Sequence, residues 1–290
     1  MNWEETIRFI RTDPAYKDVV EYSYLDADLA LNVERFRSSE EFAETLKMID
    51  AFAPGAKTLL DIGAGNGISA VAFGLKGFHV TAVEPDPSET VGYGAIAILK
   101  KKFQLNHLEI VSSFGEKLPL PDQHFDVVYV RQAMHHAADL NLFLSEASRV
   151  LRPGGILLTI RDHVIYDERD KQIFLEAHPL QKFYGGENAF TEQEYSDAMH
   201  ASGFKIRKRL RYYDSVINYF PVKTASLSNF HLQMRDQFRN AIQKRFGSWV
   251  VNFPFLQLLE WITQARNGKW SDEKRIPGRM YSFISEKSPS

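Results

Sequence analysis

The run Leu59-Leu60-Asp61-Ile62-Gly63-Ala64-Gly65-Asn66-Gly67 constrains this chain more than any other stretch of it. Its branched apolar residues read as a buried strand, which stops at glycines on alternate positions before residues 68–76 of helical composition. Lacking a Cβ, glycine accepts positive φ and leaves room for an adenosine-sized ligand to lie against the main chain. A second apolar run, 78–83, closes on Glu84, and a carboxylate at a strand tip can take both hydroxyls of a ribose. Together the two features predict a nucleoside site.

The glycine spacing narrows the ligand. Dinucleotide-binding loops usually read G-x-G-x-x-G and hold a pyrophosphate on helix amides. Here the pattern is D-x-G-x-G-x-G, with Asp61 in front and no phosphate-binding lysine behind. A leading carboxylate repels a pyrophosphate and suits an ammonium and a sulfonium. On these residues the sequence resembles the class I S-adenosylmethionine (SAM) dependent methyltransferases of small-molecule type. Asp61, Gly63, Gly65 and Gly67 match that family's first motif, and Glu84 matches its ribose-binding acid. The resemblance continues through Glu116 to Asp122, Phe125 to Val130, and Leu151-Arg152-Pro153-Gly154-Gly155. It implies SAM as cofactor, with Asp61, Gly63, Ala64, Gly65, Gly67, Glu84, Pro85, Phe114, Glu116 and Arg131 around it. One departure stands out: where the family often has an adenine-binding Asp, two residues before the Glu, this chain has Phe114, which can stack on adenine but cannot accept a hydrogen bond.

Alternation of strand and helix from 57 to 162 predicts a parallel sheet covered on both faces. With the resemblance, the expected fold is α/β: a Rossmann-like, seven-stranded mixed sheet with helices on both faces and a helical cap inserted between the last two strands. The expected divisions are an N-terminal lid segment (1–37), a core (38–213), the cap (214–278), and a last core strand with its tail (279–290). Helix 40–53 follows a Ser38 or Ser39 cap, helix 88–103 follows Glu84, and a Thr191/Glu194 capping box opens helix 191–202. Tyr22 and Tyr24 are expected either to fold over the cofactor or to pack against the first helix. Apolar spacing in 230–246 and 249–262, broken by Pro254, predicts cap helices. If strand 204–213 runs with the parallel set, the cap sits over the substrate mouth.

Without cysteine, the chain has no disulfide, thiolate catalysis or zinc-thiolate site. It has no 18-residue apolar stretch, and 1–11 lacks a signal-peptide core, so a cytoplasmic protein without a transmembrane segment is expected. Its net charge of −2 hides an asymmetry: residues 1–200 are acidic, and residues 201–290 are basic and aromatic. That third is expected to contact an anionic surface. Nucleic acid is not the expected partner, because no N-P-P-[YFW]-like motif or RNA-binding module is present.

Methyl transfer aligns the acceptor atom behind the methyl carbon in a site that excludes water. Histidine is the usual base for a hydroxyl acceptor. His135 and His163 are the expected catalytic residues, and His136, Asp162, Tyr184 and Glu187 the expected substrate contacts. No local His, Asp and Glu spacing makes a metal site, so none is expected. The resulting expectation is O-methylation of a small-molecule or glycan-like acceptor. The alternatives are a non-catalytic SAM-binding scaffold and an RNA-directed methyltransferase using the basic third. A nicotinamide oxidoreductase is opposed by the glycine spacing.

Overall fold

The fold is built on one mixed sheet in the computed structural model, which describes residues 1–222, 240, 242–244, 273 and 276–288. Five strands run parallel: β1 (Thr58–Ile62), β2 (His79–Val83), β3 (Leu108–Val111), β4 (Phe125–Arg131) and β5 (Leu151–Ile165). A two-residue β6 (Phe190–Thr191) pairs with Val164 and Ile165 at the end of β5, and makes the eighth strand where seven were expected. β8 (Met280–Lys287) lies antiparallel between β5 and β7 (Phe204–Leu210), giving the order β3-β2-β1-β4-β5-β8-β7. β7 therefore runs in the same direction as β5.

The central strands are continuously apolar because helices cover both of their faces. On one face, Phe36 of α3 (Leu29–Arg37), Ile49 of α4 (Glu40–Phe52), Phe73 of α5 (Ile68–Leu75) and Leu99 of α6 (Tyr93–Lys102) pack with Leu59 and Tyr129. On the other, Leu144 of α7 (Leu140–Val150) and Tyr195 and Met199 of α10 (Glu192–Ala201) pack with Leu60 and Val128. Ser39 caps α4 by accepting from the Phe42 amide at 3.1 Å, and Thr191 and Glu194 form the anticipated capping box of α10.

Several elements differ from the sequence reading. α6 begins at Tyr93, since residues 85–92 form a close turn in which a Cβ on Gly92 would meet the Asp86 carbonyl oxygen at 2.0 Å. β7 stops at Leu210, where Tyr212–Asp214 winds into a 3-10 turn. The N-terminal segment forms α1 (Trp3–Thr12), α2 (Lys17–Tyr22) and α3. α1 and α2 share a satellite cluster with α9 (Gln181–Tyr184), built on Ile7, Ile10, Leu25, Val91 and Leu180; α8 (Glu168–Ala177) precedes α9. Tyr24 packs in the core against Phe36 of α3 and against Phe220, whereas Tyr22 is exposed. Of the expected cap helices, 230–246 and 249–262, only residues 240 and 242–244 are described, and they are helical; the rest lies outside the described residues. The beginning of that insertion packs into the core: Ile217 and Asn218 of α11 (Val216–Tyr219) are buried, and the Asn218 side chain donates to the carbonyls of Leu210 and Arg211.

A charged cluster is buried beneath the strand tips. The Glu41 carboxylate, fully buried in the first turn of α4, binds Arg131 at 2.6 and 3.1 Å and lies 3.7 Å from Arg161. Arg161 also donates to the carbonyls of Ile217 and Phe220. Removing the shared anion leaves two guanidiniums in a dry site, which costs far more than an exposed pair would. Glu41→Gln is expected to lower unfolding free energy by about 3 to 5 kcal/mol, read as a fall in the urea midpoint at unchanged slope; an unaltered midpoint refutes it.

Candidate active site

The carboxy-terminal edge of the sheet opens into a cleft of about 830 Å³. One end is made by the glycine turn. Gly63, Gly65 and Gly67 adopt φ of 71°, 53° and 83°, the left-handed region that a side chain disfavours. A Cβ on Gly63 would lie 2.5 Å from that of Ala133, so the turn closes only with glycine there. The amides of Gly63 and Ala64 donate to the Val83 carbonyl at 2.9 and 3.1 Å, which ties the turn to the tip of β2.

Glu84 then folds back onto the turn. Its carboxylate accepts from the Gly65 amide at 2.7 Å and from the Asp86 amide at 2.9 Å. Burial raises its pKa while these amides oppose the rise. Gly63, Ala64, Gly65, Glu84, Pro85, Phe114, Glu116 and Arg131, all expected at the cofactor, line the cleft. Phe114 is 68% exposed and presents an open ring, and Glu116 also anchors the Ala138 amide. Arg131 reaches the cleft with its guanidinium already held by Glu41 and Gln132.

Asp61 and Gly67 lie behind this wall instead of on it. The Asp61 side chain is fully buried and accepts from the Ser69 hydroxyl at 2.6 Å, and Ser69 is what lines the cleft. Its second oxygen has no hydrogen-bond partner among the described residues. Burial pushes its pKa up to about 7, against the Ser69 hydrogen bond and the charge of Arg131.

The other end of the cleft is built from the tips of β4 and β5. In β5 the register against β8 shifts between Thr159 and Asp162, and Arg161 takes a φ of 61°. This bulge sends Arg161 to Glu41 and Asp162 to His135, on the opposite face. Asp162 Oδ1 accepts from both the amide and the ring Nδ1 of His135, at 3.1 and 3.0 Å. His135 Nε2 lies 3.6 Å from Glu187 Oε2. The Tyr184 hydroxyl donates to the other Glu187 oxygen, and His178 lies 3.6 Å from that same oxygen. His163 Nδ1 donates to the Gly278 carbonyl at 2.7 Å, and His136 Nδ1 to that of Gly186 at 3.0 Å. A carbonyl only accepts, so both of these rings keep the Nε2 lone pair when neutral.

The electrostatics divide the histidines. Burial opposes charge on His135, yet its hydrogen bond to Asp162 and the Glu187 carboxylate raise its pKa to about 9. Burial, and then the His135 charge, lower His163 to about 3 and His136 to about 4. Burial would raise Glu187, but the His135 imidazole facing it and the charge of His178 hold it well below the usual carboxylate range. Burial raises Asp162 despite its hydrogen bond to His135.

The six expected catalytic and substrate residues thus converge, drawn from elements far apart in sequence. Asp162 stands behind His135, while the other five line the cleft. His178 and Glu41 were not singled out: His178 belongs to no motif, and Glu41 reads as an ordinary helix-start acid. Nor were Trp3, Leu25, Val91 and Leu180, which line the cleft from the N-terminal side.

Residues 60–159 match the methyltransferase domain family. Over this span the chain is similar to a methyltransferase domain, and the match supports a class I domain with SAM as cofactor. An uncharacterized methyltransferase of Mycobacterium sp. (strain KMS) is 35% identical over 103 residues, 36% of this chain and 38% of the relative. A ubiquinone/menaquinone biosynthesis C-methyltransferase of Shewanella sp. (strain W3-18-1) is 31% identical over 134 residues, 45% of this chain and 50% of its own length. The chain therefore spans half or less of these curated relatives. In fold, the chain is similar to a putative sarcosine dimethylglycine methyltransferase from Galdieria sulphuraria (TM-score 0.57, 16% identity, 98% of each chain covered). It is also similar to a geranyl diphosphate C-methyltransferase from Streptomyces coelicolor (TM-score 0.55, 13% identity, 97% of this chain and 88% of that one). No helix among the described residues is long and apolar enough to cross a membrane.

Asp61 predicts a pH signature. Its pKa is higher folded than unfolded, so its contribution to stability is full below the unfolded value of about 4 and is lost as pH rises through about 7. Asp61→Asn removes that dependence. Urea midpoints measured from pH 5 to 8 should show wild type losing stability relative to the variant as pH rises; parallel profiles would show that Asp61 does not titrate in this range.

Proposed function

We propose that this chain transfers the methyl group of SAM to an oxygen of a small-molecule or glycan-like acceptor bound in the same cleft. The observation that carries this reading is the continuity of the cleft, which runs from the glycine turn and Glu84 to the His135, His163 and Glu187 wall. Donor and acceptor sites in one cavity are what in-line displacement requires.

The residues fit the cofactor. The Gly63 position has no space for a Cβ, the Glu84 carboxylate faces the cleft beside the Gly65 amide, and the Phe114 ring is open for stacking. Bound SAM supplies a methyl carbon made electrophilic by its sulfonium. At the far end, His135 holds the acceptor oxygen, oriented by Asp162 behind it. His163 presents its Nε2 lone pair to the hydroxyl proton. On transfer of the methyl group to the acceptor oxygen, the hydroxyl proton would pass to this wall. Trp3, Leu25, Val91 and Leu180 cover the cleft with apolar surface and keep water from the sulfonium.

The basic C-terminal third contributes less to this reading than its composition suggests. Among its described residues, Arg207 pairs with Glu286, and Arg209 and Arg211 pair with Glu192. The reading rests on the cleft.

Two variants test it. Glu84→Ala is expected to weaken SAM binding by about 2 to 3 kcal/mol in calorimetry, through loss of charge-assisted hydrogen bonds; unchanged affinity removes Glu84 from the site. His135→Gln is expected to bind SAM as wild type does while label transfer from methyl-labelled SAM to hydroxylated acceptors falls by roughly 10²- to 10⁴-fold. Full turnover in that variant, or labelled product methylated only at carbon, overturns the oxygen assignment.

A further inference from the structure

We propose that His135, His163 and Glu187 form a binding site for a divalent first-row transition cation at the acceptor end of the cleft. One ligand atom from each of the three lies within 4.8 Å of the others. No ion is needed to hold the site together, because each side chain is fixed from behind by a different element. His135 sits on the 3-10 turn Met134–His136 after β4 and is held by Asp162. His163 lies in β5 and is held by the Gly278 carbonyl just before β8. Glu187 follows α9 and is held by the Tyr184 hydroxyl and, through its amide, by the Gln181 side chain.

These outer contacts carry the argument. Metal-binding imidazoles almost always give their remote N–H to a carboxylate or a backbone carbonyl, which sets the tautomer and turns the other nitrogen outward. His135 and His163 each show that arrangement, one with each type of acceptor. Their rings lie 4.9 Å apart and both line the cleft. The Glu187 side chain is only 7% exposed, yet its Oε2 has no hydrogen-bond partner among the described residues. It stands 3.6 Å from His135 Nε2, beyond hydrogen-bond reach and close to the separation of two ligands on one ion. Metal bonds of about 2.0 to 2.2 Å require only a modest inward rotation of these side chains.

Two imidazoles and one carboxylate suit zinc, iron, cobalt or manganese better than calcium or magnesium, which prefer oxygen ligands. Three protein ligands also leave coordination positions open, and these face the cleft. The role of the ion rests on the acceptor reading above: in the loaded site Nε2 of His135 and His163 are on the cation, which replaces them in holding the acceptor oxygen and favouring loss of its proton, so the favoured substrates offer two neighbouring oxygens that can chelate it. The site itself does not depend on that reading.

Cobalt(II) alone is the probe. The full chain, stripped with chelator and dialysed, should take up one equivalent of Co²⁺ with visible d–d bands that Zn²⁺ displaces. His163→Ala and Glu187→Gln should each weaken Co²⁺ binding at least about tenfold, with thermal unfolding showing that both variants are folded. His200→Ala, an exposed histidine on α10, should bind as wild type does. Absence of saturable stoichiometric binding, or equal affinity in the three variants, overturns the metal site. Methyl transfer that persists in chelator then leaves the transfer reading standing with protein groups alone. Stoichiometric Co²⁺ binding without any transfer supports the site and counts against the reading of function.

Discussion

The direction of the parallel strands is the constraint on which the site depends. β1, β2, β4 and β5 run the same way in register, so their carboxy-terminal tips deliver unrelated residues to one edge. Gly63 and Ala64 follow β1, Glu84 follows β2, the Met134–His136 turn follows β4, and Asp162 and His163 lie near the end of β5. The hydrogen bonds from the Gly63 and Ala64 amides to the Val83 carbonyl join two of these tips directly. Glu84 completes the corner by accepting from the Gly65 amide, so the acid proposed to meet a ribose also braces the turn.

The bulge at Arg161 divides charge between the two faces of the sheet. On one face Glu41 serves two guanidiniums in a dry setting; on the other His135 lies between two carboxylates. Burying charge is costly in both places, and in both the cost is offset by pairing and by hydrogen bonds to backbone carbonyls or amides. The consequences differ. The Glu41 cluster is closed, with Arg161 bound to carbonyls of the α11 region, and serves to position the strand ends. The His135 cluster opens on the cleft, and Glu187 Oε2 is left without a hydrogen bond.

The N-terminal helices belong to the site as much as to the fold. Ile7 and Ile10 pack with Leu180 and Val91, and the Trp3 ring meets that of Tyr184 edge-on, with centroids 4.7 Å apart. Glu4 accepts from the Thr90 hydroxyl at 2.9 Å, and Asn66 of the glycine turn donates to the Tyr24 carbonyl at 2.8 Å. These contacts tie the segment both to the glycine turn and to the loop that carries Glu187.

The sequence by itself determined the corner of glycine turn and Glu84, the proposed cofactor site, because its chemistry is local. A strand, alternating glycines and the acid of the next strand are contiguous, and each has a narrow physical meaning. The alternation of strands and helices, the Thr191 capping box and the late antiparallel strand were legible for the same reason. Only the tertiary structure decided that Asp61 stands behind the wall with Ser69, that Glu41 is shared by two arginines, and that α6 starts late. It also decided that His135, His163 and Glu187 meet. Residues 52 positions apart along the chain share no local period, and a one-residue bulge reverses which face of a strand each side chain takes. Their meeting follows from packing and register, which act between segments and leave no mark within any one of them.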